Sequence, residues 1–354
     1  MDTVDNVMRN LKENELEQLK TSMIRALMQK KSLHKFRLLG KYFVVAVDGT
    51  GIYSFSKRHC EHCLTKTSKN GKTTYFHNVL EAKLICYNGF SISLATEWIE
   101  NPEGDFDKQD CEIKAFRRLA IKLKKLYPRL PICVTADGLY PTKTFFKICR
   151  TNEWRFIITF KDGNLPSVWK QIKLLKTVTT GNTRSQIVNY KKNKIFQNFF
   201  WFNNLEYQEY QLHCIECAEY SQNTNNEKSK TTRFVHLTDI EIIRDKAPEI
   251  SQTGRLRWKI ENEGFNIQKN NGYKLKHKYS RSRYCAAKNY YQCLQIAHLI
   301  NQLVELSSKC AQLISKKLTI KHLWKTMIGF LIFRNLSTEE LLENSKLKIQ
   351  IRFE

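Results

Sequence analysis

Two apolar segments of this chain run directly into an Asp-Gly pair, and this repeated pattern restricts the possible folds more than any other feature. Residues 42–47 (YFVVAV) and 132–136 (ICVTA) are rich in β-branched side chains, as are strands buried on both faces. Asp48 follows the first segment and Asp137 follows the second. Side chains at the C-terminal ends of such strands reach the rim of a sheet, where ligands usually bind. The pattern therefore predicts two acids at one site, and the alternative is a pair of acids that only begin turns.

The elements around these segments predict a mixed sheet. Residues 82–87 and 90–95 flank an Asn-Gly pair, which is a strong hairpin signal, and residues 111–126 have the apolar period of an amphipathic helix. A short helix is predicted at 143–150 and a further strand at 155–160. The order is strand, hairpin of two strands, helix, strand, helix, strand. It is the order of an RNase H-like core, in which antiparallel and parallel neighbours share one α/β (α+β) sheet.

Changes in residue pattern divide the chain into five segments. The third segment alternates apolar and polar residues around turn-forming Gly and Asn, which predicts an antiparallel β insertion. Helical periodicity then returns, and residues 290–313 are predicted to form one long helix. The five segments are an N-terminal helical segment (1–40), the first part of the core (41–174), the β insertion (175–237), the second part of the core with its flanking helices (238–320) and a C-terminal tail (321–354).

A third acid is expected from a helix packed over the same rim. Arg257 and Glu261 are four residues apart and would share one helical face, so the guanidinium is placed to fix the carboxylate or to contact a phosphate. Glu263 would face elsewhere, together with Lys259. Three carboxylates offer hard oxygen ligands, which select Mg²⁺ or Mn²⁺. Two such ions about 4 Å apart activate an attacking oxygen and stabilise a leaving one, which is the chemistry of phosphodiester cleavage and strand transfer.

Four motifs of the chain resemble those of a known enzyme family. They are VDGTG at 47–51, KQDCE at 108–112, ADGLY at 136–140 and RWKIENEGFNIQKNNGY at 257–273. Over residues 41–313 the chain resembles the DDE transposases of bacterial insertion sequences, in particular the branch with a Tyr-Arg-Glu-Lys signature and a β domain inserted before the final Glu. The resemblance implies an RNase H-like fold, two divalent metal ions, cut-and-paste movement of an element's double-stranded DNA, and a homodimer in the DNA complex.

The resemblance also implies roles for single residues. It makes Asp48, Asp137 and Glu261 the catalytic acids and metal ligands. It makes Arg257 the signature arginine, and it implies that Arg257 and Lys269 bind phosphate or DNA.

The chain departs from the family signature at two positions. The signature tyrosine would fall three residues before Arg257, where this chain has Gly254. The signature lysine would fall at Gln268, and Lys269 stands one place later. We expect Lys269 to serve in its place through a helical bulge.

The charge of the chain indicates a polyanionic partner. Lys and Arg number 59 against 34 Asp and Glu, and the formal net charge is +25. A surface of this kind attracts nucleic acid. The N-terminal residues lack the apolar stretch of a secretion signal, and no apolar run is long enough to span a membrane. We therefore expect a soluble, cytoplasmic and nucleoid-associated protein without a membrane partner.

Two other functions fit the same pattern of residues. One is an RNase H-like nuclease or Holliday-junction resolvase, which would cut DNA without joining it. The other is a catalytically decayed or domesticated DNA-binding protein that keeps the fold and charge without turnover. A strand-transfer assay separates these functions from transposition.

Eleven cysteines are scattered along the chain, which favours reduced thiols over a disulfide framework. Two pairs have Cys-x-x-Cys spacing and would in principle close a zinc site. Cys214 and Cys217 lie in a predicted strand, where alternate residues face opposite ways, so a joint site is disfavoured. Cys60 and Cys63 lie in a polar stretch and are the better candidates, and whether they bind zinc stays open.

Acids near residue 110 offer a possible fourth ligand for the acidic site. Asp110 and Glu112 precede the helix predicted at 111–126. Because acids favour a helix N-terminus, we interpret both as capping residues instead.

Overall fold

The strands of the described residues form one mixed sheet. The computed structural model describes residues 2–12, 14–58, 60–102, 104, 107–178, 181–190, 193–222, 231–280, 283–313, 319–335, 337–346 and 352–353. Its strands are β1 Phe43–Phe55, β2 Leu64–Thr67, β3 Thr73–Ile85, β4 Ser91–Ile99, β5 Ile132–Thr135, β6 Arg155–Thr159, β7 Thr183–Tyr190, β8 Asn193–Tyr207, β9 Tyr210–Gln222 and β10 Thr231–Thr238. Within these residues the order is β2-β3-β1-β5-β6-β10-β9-β8-β7, and β4 pairs with β3.

The sheet has parallel pairs in its central part and antiparallel pairs on both sides of them. β1 is antiparallel to β3 and parallel to β5, and β5 is parallel to β6. β10 joins β6 on one side and β9 on the other, both antiparallel, and β7, β8 and β9 follow as antiparallel neighbours. The predicted mixed α/β sheet is thus confirmed. The antiparallel strands predicted as an insertion continue the same sheet through the pairing of β10 with β6.

Helices cover both faces of the central strands. They are α1 Asp2–Asn10, α2 Glu15–Gln29, α3 Glu112–Leu126, α4 Lys143–Thr151, α5 Pro166–Val178, α6 Ala247–Arg255, α7 Ile267–Asn270, α8 Tyr284–Glu305, α9 Ser308–Leu313, α10 Ile320–Phe333 and α11 Thr338–Lys346, with a short 3₁₀ helix at His34–Phe36 and a π-helical segment at Ile260–Asn266. None of the helices described above combines the length and the apolar character needed to cross a bilayer.

Alternation along β1 assigns its side chains to two apolar clusters. Val45 and Val47 belong to a cluster that includes residues of α3, α4 and α5, whereas Val44 and Ala46 belong to one that includes residues of α6, the π-helical segment and α8. Because successive strand residues point to opposite faces, residue 48 belongs on the second face and residue 49 on the first. This assignment positions the candidate site described below.

The first strand is longer than its apolar pattern predicts. We expected it to end before Asp48, but β1 continues to Phe55. The parallel partner β5 stops opposite Ala46, whereas β3 goes on pairing with β1 as far as Phe55. Asp48 therefore lies within β1, at the place where the parallel pairing ends.

Two other predicted boundaries are wrong. The single helix expected at 290–313 begins earlier, at Tyr284, and is divided after Glu305 into α8 and α9. The β insertion, expected from residue 175, begins at Thr183, because α5 extends to Val178. Local periodicity does not locate such ends because helix termini depend on capping and on tertiary contacts.

Candidate active site

Asp48 lies at the centre of a group of acids on the rim of the sheet. Its Oδ1 accepts a hydrogen bond of 3.0 Å from the Gly49 N–H, and its Oδ2 lies 3.3 Å from Nη1 of Arg257. Burial raises the pKa of Asp48, and the Arg257 charge and the Gly49 N–H oppose this effect. The negative charges of Asp137 and Glu261 raise the pKa further. All three predicted acids are therefore electrostatically coupled in the fold.

Asp137 follows β5. It lies next to Asp48, because the parallel pairing of β1 with β5 ends just before both residues. Its Oδ1 accepts a hydrogen bond of 2.8 Å from the Leu139 N–H, so the carboxylate is held by the turn that follows the strand. The next residue, Gly138, has no space for a side chain, because an added Cβ would lie 2.7 Å from the Lys161 side chain. The side chain of Lys161 therefore packs over the residue that follows Asp137.

Glu112 adds a fourth carboxylate, which we had interpreted as a helix cap. It is the first residue of α3 and is half-buried. A Cβ at Gly49 would lie 2.3 Å from its Oε1, so only glycine at position 49 leaves room for this carboxyl group. Burial, with the charges of Asp48 and Asp137, raises the pKa of Glu112 to about 7. Glu112 therefore belongs to the acidic site, where it approaches from the face opposite to Arg257.

Asp110 has a different environment and does not cap α3. Its carboxylate pairs with Arg118 at 2.6 Å and accepts a hydrogen bond from the Glu100 N–H. The KQDCE motif thus contributes one residue to the acidic site and one to a surface ion pair. The sequence signal that distinguishes them is the glycine at position 49, which provides space for Glu112 alone.

The two glutamates of the π-helical segment have different surroundings. Glu261 is exposed, and its charge acts on both Asp48 and Lys269. Glu263 lies 3.5 Å from Nζ of Lys259, one turn earlier on the same side. The charge of Glu261 thus acts on Asp48, and Glu263 has the basic partner that its spacing indicates.

Arg257 contacts a different acid from the one expected. We predicted that it would share a helical face with Glu261, but within the described residues its ion pair is with Asp48. The helix is interrupted here: the Lys259 N–H bonds to the Leu256 carbonyl and the Ile260 N–H to the Arg257 carbonyl, both three residues back. Because these turns are tighter than α-helical ones, the four-residue spacing no longer aligns Arg257 with Glu261.

The π-helical segment changes the direction of the residues that follow Glu261. A π turn holds one more residue than an α turn. Lys269, eight residues after Glu261, therefore takes the place that Gln268 would have if the segment were α-helical. Gln268 is fully buried and bonds to Gln295 and His298. For Lys269, burial and the charge of Lys276 lower the pKa, and the charges of Glu261 and Asp48 oppose this effect.

A close contact requires glycine at position 254, where the resemblance implies a tyrosine. An added Cβ at Gly254 would lie 2.4 Å from the ring of His236 on β10. His236 is buried, so it has no room to move aside for a side chain at position 254. The tyrosine is therefore excluded by packing of α6 against β10.

A basic groove of about 770 Å³ adjoins the acids. Arg257 lines it and also contacts Asp48, so the groove and the acidic site share one side chain. Trp258, which is 44% exposed, contributes an aromatic surface. The other cations that line the groove are Lys161, Arg233 and Arg255. A groove of this composition suits a phosphate backbone better than a neutral ligand.

The acids fit divalent metal ions by two criteria. Carboxylate oxygens are the ligands that Mg²⁺ and Mn²⁺ prefer. In addition, burial raises the pKa values of Asp48 and Glu112 and the neighbouring carboxylates raise them further, and this repulsion would be relieved by a cation among the carboxylates. The residues present are therefore chemically suited to the ions that the resemblance implies.

Comparisons with known proteins assign no family. No family profile and no curated protein matches the chain. Among solved structures, an S-adenosylmethionine-dependent methyltransferase from Clostridium acetobutylicum ATCC 824 matches with 13% sequence identity and a TM-score of 0.13. The match covers 40% of this chain and 59% of the methyltransferase. A TM-score this low carries no argument about fold or function.

Proposed function

We propose that this protein is a DDE transposase that cleaves DNA and transfers strands with the aid of two divalent metal ions. The ion pair of Arg257 with Asp48 carries the proposal, because it joins the segment that contains Glu261 to β1, beside the end of β5 that Asp137 follows. We also infer that the central sheet is an RNase H-like core. This is supported by a first strand that has a hairpin antiparallel to it on one side and two parallel strands on the other.

Asp48, Asp137 and Glu261 would hold the metal ions, and Glu112 lies beside the first two. When bound, Mg²⁺ or Mn²⁺ supplies activation of the attacking oxygen and stabilisation of the leaving oxygen. Arg257 is placed to keep the Asp48 carboxylate oriented before a metal arrives, since it approaches Oδ2 from the side of the groove.

The groove cations would bind the DNA backbone beside the acids. Arg257 lies at the boundary of the two regions, and Lys161 packs over Gly138, next to Asp137. Positioning of a phosphodiester by such groups accounts for much of the catalysis in phosphoryl transfer. Trp258 offers a surface on which a displaced base would stack.

The proposed reaction has two steps, and each requires the attacking and leaving oxygens to lie in line at phosphorus. In the first, a water oxygen attacks a phosphorus at the end of the element, the P–O3′ bond breaks, and a 3′-hydroxyl is released. In the second, the oxygen of that hydroxyl attacks a phosphorus of the target strand, one phosphodiester forms and another breaks. Both steps are in-line displacements at phosphorus, so a single acidic site serves both.

The partners that we propose are double-stranded DNA, as element end and as target, and a second copy of the chain within the DNA complex. The formal net charge of +25 supports the first. The second rests on the resemblance to the transposase family alone.

The full chain should be tested on linear DNA that ends in the repeats flanking its gene. We expect Mn²⁺- or Mg²⁺-dependent release of a 3′-hydroxyl and joining of that end to a target plasmid. Asp48→Asn and Asp137→Asn should lose both products and keep the wild-type circular dichroism. Asp162→Asn is the matched control, because Asp162 lines the groove but is 78% exposed.

The same assay separates the competing functions. Cleavage without joined products would indicate a nuclease or resolvase. Binding of the ends without cleavage would indicate a decayed or domesticated DNA-binding protein. Full activity in EDTA, or in either asparagine variant, would rule out the metal-dependent acidic site.

A further inference from the structure

Two cysteines and a histidine meet at a second site on the sheet. Sγ of Cys60 lies 3.5 Å from Sγ of Cys63, and Nε2 of His77 lies 3.3 Å from the first sulfur and 3.5 Å from the second. Cys63 and His77 are buried and Cys60 is half-buried. Three ligand atoms of the kind that bind thiophilic metals thus face one another.

The separations of these atoms fit a tetrahedral zinc ion. Zn–S bonds of about 2.3 Å and Zn–N bonds of about 2.0–2.1 Å give edges of about 3.8 Å between sulfurs and about 3.6 Å between sulfur and nitrogen. The observed separations are within about 0.3 Å of these edges. Little movement would be needed for one ion to contact all three atoms.

Hydrogen bonds around the cluster orient its members. Nδ1 of His77 lies 3.1 Å from the Tyr284 hydroxyl, which leaves Nε2 directed at the sulfurs. In metal-binding histidines the ring nitrogen that does not face the metal is usually held by a hydrogen bond. The side-chain amide of Asn101 donates a hydrogen bond of 2.9 Å to the Cys63 carbonyl, and Arg58 donates to the Cys60 carbonyl. The loop that carries the cysteines is therefore held in place from both sides.

The other Cys-x-x-Cys pair shows why spacing alone does not create such a site. Cys214 and Cys217 both lie in β9, and they belong to different apolar clusters on opposite faces of the sheet. A joint site of all four cysteines is therefore ruled out. The third member of the actual cluster, His77, lies on β3, and no sequence motif links it to the cysteines.

We propose that Cys60, Cys63 and His77 bind one Zn²⁺ ion, with a water molecule or a further loop side chain in the fourth position, and that this ion is structural. On binding, the thiols of Cys60 and Cys63 release their protons to solvent and coordinate as thiolates. The ion would join the loop after β1 to β3 and, through Tyr284, to α8. This inference does not rest on the proposed transposase function.

The zinc site is distinct from the acidic site in position and in chemistry. His77 pairs with Tyr53 and Glu81 pairs with Asp48, so the two sites are four residues apart along β3, roughly 13 Å. Thiolate and imidazole ligands select zinc, whereas a set of carboxylates selects Mg²⁺ or Mn²⁺. The protein can therefore hold both kinds of ion at once.

The test measures metal content and the spectrum of the cobalt-substituted full chain. Purified wild-type protein should carry one equivalent of zinc. After exchange with Co²⁺ it should show a thiolate-to-cobalt charge-transfer band and the intense d–d bands of a tetrahedral site, which carboxylate ligands do not produce. Cys60→Ser should lose the zinc and the charge-transfer band. Cys293→Ser, which alters another half-buried cysteine, should keep both.

Three results would overturn the proposal. The first concerns wild-type protein that has been reduced and supplied with Zn²⁺ or Co²⁺. It would show no charge-transfer band, and all of its bound zinc would be lost in Asp48→Asn, which would assign that zinc to the acidic site. The second is an unchanged cobalt spectrum in Cys60→Ser. The third is a Cys60–Cys63 disulfide, found by mass spectrometry, that persists in freshly reduced and metal-treated protein. If Cys60→Ser fails to fold, the wild-type cobalt spectrum still decides the outcome.

Discussion

At the scale of single residues, the acids of the candidate active site are held together against their mutual repulsion. The pKa values of Asp48 and Glu112 are both raised, by burial first and by neighbouring carboxylates second. Clusters of this kind oppose folding of the metal-free protein, and perturbed acids in a cleft are more typical of functional sites than of structural ones. Gly49 is part of the same arrangement, because any larger residue would displace Glu112.

The first prediction distinguishes the two glutamates of the π-helical segment. Glu261→Gln should reduce DNA cleavage by more than about 100-fold, since even second-shell partners of a metal are worth about 10- to 100-fold. Glu263→Gln should retain cleavage and lose at most about 1 kcal/mol of stability, because it removes only a partly exposed ion pair with Lys259. Cleavage rates in Mn²⁺ and urea unfolding measure the two effects. The reverse pattern would transfer the catalytic role to Glu263.

The second prediction concerns Glu112 in the metal-free protein. Its folded pKa of about 7 exceeds the unfolded value of 4.5, so its stabilising contribution is complete below pH 4.5 and is lost as pH rises to 7. The loss is up to about 3 kcal/mol, which we discount to about 2 kcal/mol because the carboxyl group is partly exposed. Glu112→Gln should therefore unfold at higher urea concentration than wild type at pH 8 in EDTA.

The control for this prediction is the divalent ion. Adding Mg²⁺ at pH 8 should stabilise the wild type, because a cation relieves the repulsion, and should stabilise Glu112→Gln less. The free energy of unfolding of Glu112→Gln should be subtracted from that of the wild type at each pH. A difference that does not change between pH 4.5 and 7 would contradict the raised pKa of Glu112.

At the scale of elements, the π-helical segment decides which side chains reach the acidic site. It places Gln268 in a buried network with Lys83, Gln295 and His298, and it brings Lys269 within range of the acids. Gly264 allows this segment to lie close to the sheet, since an added Cβ would be 2.9 Å from Ser91 Oγ. A wider turn at this position is therefore part of the packing, and such turns are frequent at functional sites.

The third prediction separates the roles of these adjacent residues. Lys269→Ala should weaken DNA binding and lower the slope of log affinity against log salt by about 1, with little change in stability. Gln268→Ala should leave that slope unchanged and destabilise the fold by about 1–3 kcal/mol, because it leaves buried polar groups unpaired. Fluorescence anisotropy over a salt series and urea unfolding test both. A salt slope that falls in Gln268→Ala instead would refute the bulge.

At the scale of the whole molecule, charge and groove indicate the same kind of partner. The basic residues exceed the acidic ones by 25, and Arg233, Arg255 and Arg257 line one groove beside the acids. Arg255 also pairs with Glu219 and lies 4.0 Å over the Phe234 ring, so its position is held by the sheet. The groove therefore presents its cations in a fixed geometry.

The fourth prediction is a steep dependence of DNA binding on salt. If the protein neutralises about 6–10 phosphates, its affinity should fall about 10³- to 10⁵-fold between 50 and 200 mM salt. Lys161→Gln, in the groove, should weaken binding, whereas Lys143→Gln should not, because Lys143 lies outside the groove and pairs with Glu209. Equal effects of the two variants would indicate that DNA binds elsewhere.

Much of the fold was predictable because burial leaves a periodic trace in the chain. The helix α3 and the strands β5 and β6 lie where apolar patterns placed them, and the Asn-Gly pair lies between β3 and β4 as expected, although β3 begins at Thr73, well before the predicted residue 82. The predicted ends of helices and strands were less accurate. The length of β1, for example, depends on its pairing with β3 rather than on its own residues. Among the site residues, Arg257 was expected to share a face with Glu261, whereas its ion pair within the described residues is with Asp48.

The sequence by itself determined the mixed sheet, the basic charge and the identity of three candidate acids, because these follow from composition and from patterns between near neighbours. Only the tertiary structure decided that Glu112 lies against Gly49 beside the acids, that Arg257 pairs with Asp48, and that His77 meets one cysteine pair. The physical reason is the same in each case. Periodicity records which side chains are buried, whereas the approach of residues distant in the chain depends on how strands and helices pack.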